Sequence, residues 1–125
     1  MTEWTGTIAY LDRETEDGRT LATPRTALDT RPMPLPLIGS SGESLGTVAR
    51  VFIDGDELKA EGTTREGFLR PGQRLPVGVD VDRIGPDPED GVFTEWRLCA
   101  VHAYTDDRSP AWPGVHIRLK GEAVS

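Results

Sequence analysis

The residues able to do chemistry are few in this chain. It has one cysteine, Cys99, and two histidines, His102 and His116. A serine nucleophile needs a histidine within hydrogen-bond reach and a third group to orient that histidine. Ser40, Ser41 and Ser44 sit in a Gly-Ser stretch whose composition is that of a turn. His102 lies in an apolar run beside Tyr104 and is expected as a hydrogen-bonded core histidine. His116 alternates with Arg118 and Lys120 and is expected on a solvated basic face. Cys99, inside the same apolar run as His102, reads as a buried, inert thiol. A lone cysteine excludes an internal disulfide and any cysteine-based metal cluster. No catalytic set stands at usable spacing, so no enzyme of the common nucleophilic or metal-dependent classes is expected.

Carboxylates offer a second possibility. Asp80 and Asp82 share a strand face, about 7 Å apart by strand geometry. Gly85, Asp87, Glu89 and Asp90 follow them. Hard cations take several carboxylates from one short segment, but the Asp-x-Asp-x-Asp-Gly spacing is not met and Pro86 and Pro88 interrupt it. A solvated acidic loop is therefore expected, with no metal and no cofactor. Leu28-Asp29-Thr30 is similar to an aspartic-protease strand, yet Arg31 stands where that loop needs glycine.

The elements that must carry these residues are strands. Ten prolines and fourteen glycines interrupt 125 residues too often for long helices. Trp4 to Leu11 alternates as a strand and ends in the acidic turn Glu14–Gly18. Leu45–Ile53 and Glu57–Gly62 flank Asp54-Gly55-Asp56, a hairpin signal because glycine takes the positive φ of a primed turn. Val77–Asp82 alternates with three valines inward and two aspartates outward. Trp96–Tyr104 is apolar on both faces, as a central strand would be. Val115–Lys120 alternates again. Only Arg25–Asp29 suits a short helix; the prolines of Arg31–Leu37 exclude one there. The expected fold is a single domain, residues 1–125, mainly β: a small antiparallel β-barrel of about six to seven strands. Its core should contain Val77, Val79, Val81, Leu98, Val101, Ile117 and Leu119.

Composition narrows the partners. The net charge of −7 and pI near 4.8 oppose direct nucleic-acid binding, which works by neutralising phosphates. No apolar run approaches the roughly 20 residues of a membrane span. Met1-Thr2-Glu3-Trp4 has neither a basic region nor an apolar one, so synthesis in a cytoplasm is expected.

One ordered set of motifs resembles a known family. Trp4–Tyr10, Thr15-Glu16-Asp17-Gly18-Arg19, Pro34-Leu35-Pro36-Leu37, Leu45-Gly46-Thr47-Val48 and Val77–Asp82 occur in the order of the prohead (capsid maturation) proteases of tailed phages. The resemblance spans Trp4 to about Leu119. It implies a protease-like barrel, a histidine between the Pro-Leu-Pro-Leu strand and Gly46, and a serine in a Val-Ser-Val-Asp-like strand. Here Ile38–Leu45 contains no histidine, and glycine, Gly78, stands at the serine position. The resemblance therefore implies a catalytically dead relative: a non-enzymatic virion protein, either minor capsid or decoration (cement). Such a protein would be made in the host cytoplasm, bind the major capsid protein and stabilise the shell, with a homo-oligomer on the shell as a further option. Arg31, Pro34, Leu35, Arg108 and Trp112 are the expected capsid or partner contacts, Trp and Arg being favoured interface anchors. The competing expectation is an active maturation serine protease, with His102 or His116 serving a serine of the 40–44 loop or Ser109.

Overall fold

In a computed structural model, residues 2–84, 91–106 and 110–121 are described. Nine strands follow one another: β1 (Thr2–Tyr10), β2 (Thr20–Leu21), β3 (Leu35–Ile38), β4 (Ser44–Asp54), β5 (Glu57–Thr64), β6 (Leu75–Arg83), β7 (Val92–Phe93), β8 (Trp96–Ala103) and β9 (His116–Leu119). Seven of them close a barrel in the order β1-β5-β4-β3-β8-β6-β9, with β9 returning to β1. All barrel ladders are antiparallel except β3–β8, which is parallel. The short β2 and β7 pair in parallel outside the barrel.

The mainly β, small-barrel expectation holds, with one departure. The segment expected as a short helix, Arg25–Asp29, is bent and irregular. Its end is drawn into the sheet instead. The Leu98 N–H donates to the Asp29 carbonyl, and the Arg31 N–H donates to that of Leu98. Backbone groups committed to a neighbouring strand cannot also form helical turns.

Closure depends on breaks in the ladders. Register shifts fall between Thr7 and Ala9, Leu37 and Ile38, Val48 and Arg50, and Asp80 and Val81. An extra residue on one strand bends it and raises its twist, as a small barrel requires. At Gly62 the approach is so close that a Cβ would lie 1.9 Å from the Thr47 carbonyl oxygen and 2.8 Å from the Trp4 ring. Only glycine fits between that strand and the indole.

The barrel interior holds Trp4, Ile8, Leu35, Leu37, Val48, Leu58, Val77, Leu98, Val101 and Ile117, all 0–1% exposed. Val79, Val81 and Leu119 are half-buried against this core. All three tryptophans are buried, and each indole N–H finds a backbone carbonyl: Trp4 with Thr63 (3.2 Å), Trp96 with Ala22 (2.9 Å), Trp112 with Arg13 (2.9 Å). A buried donor left unpaired would cost about 1–3 kcal/mol. The Trp4 bond joins β1 to β5, the Trp96 bond holds the chain after β2 to β8, and the Trp112 bond joins two loops. No helix among the described residues is long and apolar enough to cross a membrane.

Candidate functional site

The chemistry-bearing residues converge on three adjacent strands, β3, β8 and β6. Ile38 pairs with His102, and His102 pairs with Gly78. The Gly78 position and the start of the 38–45 segment, 40 residues apart in sequence, thus flank one histidine.

The side chain of His102 is not in the core. It is 38% exposed, with Nε2 3.9 Å from the Asp80 carboxylate. This corrects the expectation of a buried histidine, and the cause is the register shift in the β6–β8 ladder. Asp80 pairs with Ala100 and Val81 with Leu98, so Cys99 is passed over. The inward phase moves by one residue there. Leu98 faces in before the shift, Val101 and Ala103 face in after it, and His102 turns outward.

Gly78 itself is buried. A Cβ built on it would lie 2.1 Å from the Tyr104 hydroxyl and 2.9 Å from Cζ of that ring. The phenol fills the place a side chain at 78 would need. What remains is a cleft of about 80 Å³ bordered by Thr15, Arg19, Leu21, Gly78, Tyr104 and Trp112, with room for a few waters and none for a peptide.

The serine loop is engaged in its own turn. The Gly42 N–H donates to the Gly39 carbonyl, and the Ser41 N–H donates to the Glu43 carboxylate at 3.0 Å. Ser40 Oγ accepts the Thr105 N–H at 3.0 Å, which fastens the loop to the end of β8. His116 is held apart from it. Its ring nitrogens lie 2.8 Å from the Gly114 carbonyl and 2.9 Å from the Arg74 guanidinium. Arginine only donates, so Nε2 accepts and the proton sits on Nδ1. His116 was expected on a solvated basic face, and it does turn outward beside the buried Ile117, with both of its hydrogen bonds at the surface. Ser109 lies outside the described residues.

The charged groups nearby are paired across strands. Arg31 reaches Asp82 at 2.7 Å and holds its carboxyl below the ordinary carboxylate range, with help from the Cys99 thiol. Arg97 meets Asp29 at 3.3 Å. Burial pushes the Cys99 thiol up, so at neutral pH it stays protonated. Among the described residues no three His, Cys, Asp or Glu side chains are grouped to hold a metal. Of the expected acidic loop, residues 85–90 lie outside the described range.

The five expected contact residues separate. Arg31 and Pro34 are exposed. Leu35 and Trp112 are core residues, 1% and 4% exposed, and cannot anchor a partner: Leu35 points inward from β3, and the Trp112 indole is bonded under the Arg13 loop. Arg108 lies outside the described residues. Sequence reasoning missed Met33, between Pro32 and Pro34, which at 41% is the exposed large hydrophobic of the described chain. Flanking prolines were the available signal, since they hold a side chain away from any ladder. It also missed Tyr104 as the occupant of the Gly78 position, for which no local signal exists.

The sequence matches no protein-family model and no curated protein, and the fold matches no solved structure. The likeness to prohead proteases therefore rests on the motifs quoted above, two of which have local structural uses. Thr15–Arg19 is a self-contained turn. Thr15 Oγ1 donates to the Asp17 carboxylate and accepts the Arg19 N–H, and Arg19 pairs with Asp17 at 2.8 Å. Pro34–Leu37 places both leucines in the core and both prolines on the outside.

Proposed function

We propose that this chain is a non-enzymatic virion protein, a minor capsid or decoration protein that binds the major capsid protein and stabilises the shell. The observation that carries the reading is the closed position at Gly78. Where the resembling family has its serine there is no side chain, and the Tyr104 hydroxyl occupies the space. A rotamer change cannot restore a nucleophile there. Catalytic residues are held by the reaction and core residues by burial, so a barrel outlives the loss of its chemistry. The exposed Arg31-Pro32-Met33-Pro34 segment supplies the contact surface, with Arg31 and Met33 as its anchors. The net charge of −7 suits a basic patch on a capsid protein rather than packaged DNA.

Two measurements test this. Added to empty shells of the cognate capsid, the purified protein raises their melting temperature, and Met33→Asp weakens binding. A fluorophosphonate probe leaves the protein unlabelled. Stoichiometric labelling, or cleavage of capsid protein, would overturn the reading in favour of an active maturation protease. Failure to bind shells at micromolar concentration would remove the capsid partner.

A further inference from the structure

Strand β4 is longer than its neighbour. On one side it pairs with β5 from Gly46 to Asp54; on the other, β3 pairs with it only as far as Leu35 opposite Val48. Beyond that point the preceding chain is Arg31-Pro32-Met33-Pro34, and prolines 32 and 34 carry no N–H to continue a ladder. Ala49–Asp54 therefore presents a strand edge that pairs with nothing among the described residues. Such an edge is a template for another strand.

The direction of its free groups follows from the hairpin. Asp54 pairs with Glu57 across a two-residue turn, Gly55-Asp56. In such a hairpin the flanking pair is hydrogen-bonded, and bonded pairs alternate with unbonded ones. Asp54, Phe52 and Arg50 thus turn their N–H and C=O groups toward β5, while Val51 and Ile53 turn theirs to the open side. The side chains also divide. Val51 and Ile53 pack against the core, whereas the Arg50 guanidinium lies over the outward Phe52 ring at 4.5 Å.

We propose that this edge is a self-association surface, on which a second copy of the chain pairs antiparallel about a two-fold axis through Phe52. In that register Val51 faces Ile53 of the partner subunit, so the open groups of each edge meet groups that need them. Within each chain Arg50 lies 3.8 Å from Glu61 and Asp54 lies 3.0 Å from Lys59. Across the edge Arg50 also faces Asp54 of the partner subunit, and the reverse pair closes the other end. Phe52 faces its own copy between the two ion pairs. Sliding either edge by two residues keeps the hydrogen bonds but sets Arg50 or Asp54 opposite Phe52, so charge complementarity selects the occupant and the register together. The interface is small, and the dimer is accordingly a weak one. It stands independently of the capsid reading, because free protein in solution tests it.

Sedimentation equilibrium on the full chain is the measurement. Dimer forms in the range up to about 100 µM. Val51→Pro deletes an outward N–H while leaving the β5 ladder intact, and makes the protein monomeric with an unchanged circular dichroism spectrum. Arg50→Asp weakens the dimer by about tenfold, and adding Asp54→Arg restores it. Phe52→Cys, oxidised with glutathione disulfide, cross-links to covalent dimer faster than Ala49→Cys, which the register does not place opposite itself. A protein monomeric at about 100 µM overturns the proposal. So does a dimer that survives Val51→Pro, or an Ala49→Cys variant that cross-links as fast as the Phe52→Cys variant.

Discussion

The two halves of the barrel wall are built on different rules. In β5, between β1 and β4, exposure alternates at every one of its eight residues, and the ladder to β4 starts from a two-residue turn. Its ladder to β4 is local in sequence, while the one to β1 joins segments far apart. On the other half, β8 lies between β3 and β6, and its inward phase slips at Cys99. One side of the Gly78 position is closed by Tyr104, which follows β8, and the small cleft beside it is completed by Thr15 and Trp112 from distant loops. Where neighbours are close in sequence, period and turn chemistry decide the outcome. Where a strand is covered by loops from several places, the packing decides it.

That contrast can be broken experimentally. The largest effect is expected in the second half. Leu98 is fully buried and sits where the phase slips. Leu98→Ala should destabilise by about 2–4 kcal/mol in urea unfolding, with an unchanged m-value. A loss below about 1 kcal/mol would mean the site collapses around the cavity and the packing there is loose.

Gly78→Ala should come next, at about 1–3 kcal/mol, because Tyr104 must move to admit the methyl group. The loss should shrink in a Tyr104→Ala background, and a double-mutant cycle measures that coupling. Additive losses would show that Tyr104 is not what closes the position.

In the hairpin half the effect is a backbone one. Gly55 has φ of +64°, which an L side chain adopts at a cost, while nothing lies within 4 Å of its Cβ position. Gly55→Val should destabilise by about 1–2 kcal/mol, by conformation alone. Because the neighbouring turn residue Asp56 has no positive φ, the turn is of the II′ pattern, with glycine needed only at its first position.

The smallest expected effect is electrostatic. The folded-state pKa of Asp82 is depressed, first by its hydrogen bond to Arg31. Its contribution is therefore present above the unfolded carboxylate pKa and lost as pH falls through the folded value. Arg31→Ala should raise the Asp82 pKa, followed by NMR titration, while thermal stability at pH 7 barely changes because the pair is exposed. An unmoved Asp82 titration would mean that Arg31 spends its time elsewhere.

The sequence by itself determined the class of fold and much of its wall. Alternation marked β1, β6 and β9, and Asp54-Gly55 marked the turn that returns the chain as β5, because side-chain period and a glycine's φ are properties of a few consecutive residues. It also showed that position 78 has no nucleophile, a matter of residue type alone. The tertiary structure alone decided which face of β8 looks inward, since one passed-over residue reverses every side chain after it. It decided that Leu35 and Trp112 are core residues, because burial depends on what lies across the barrel and not on the residue's own neighbours. It decided that Tyr104 fills the space at Gly78. Each of these is a relation between segments distant in sequence, and only closing the barrel brings them together.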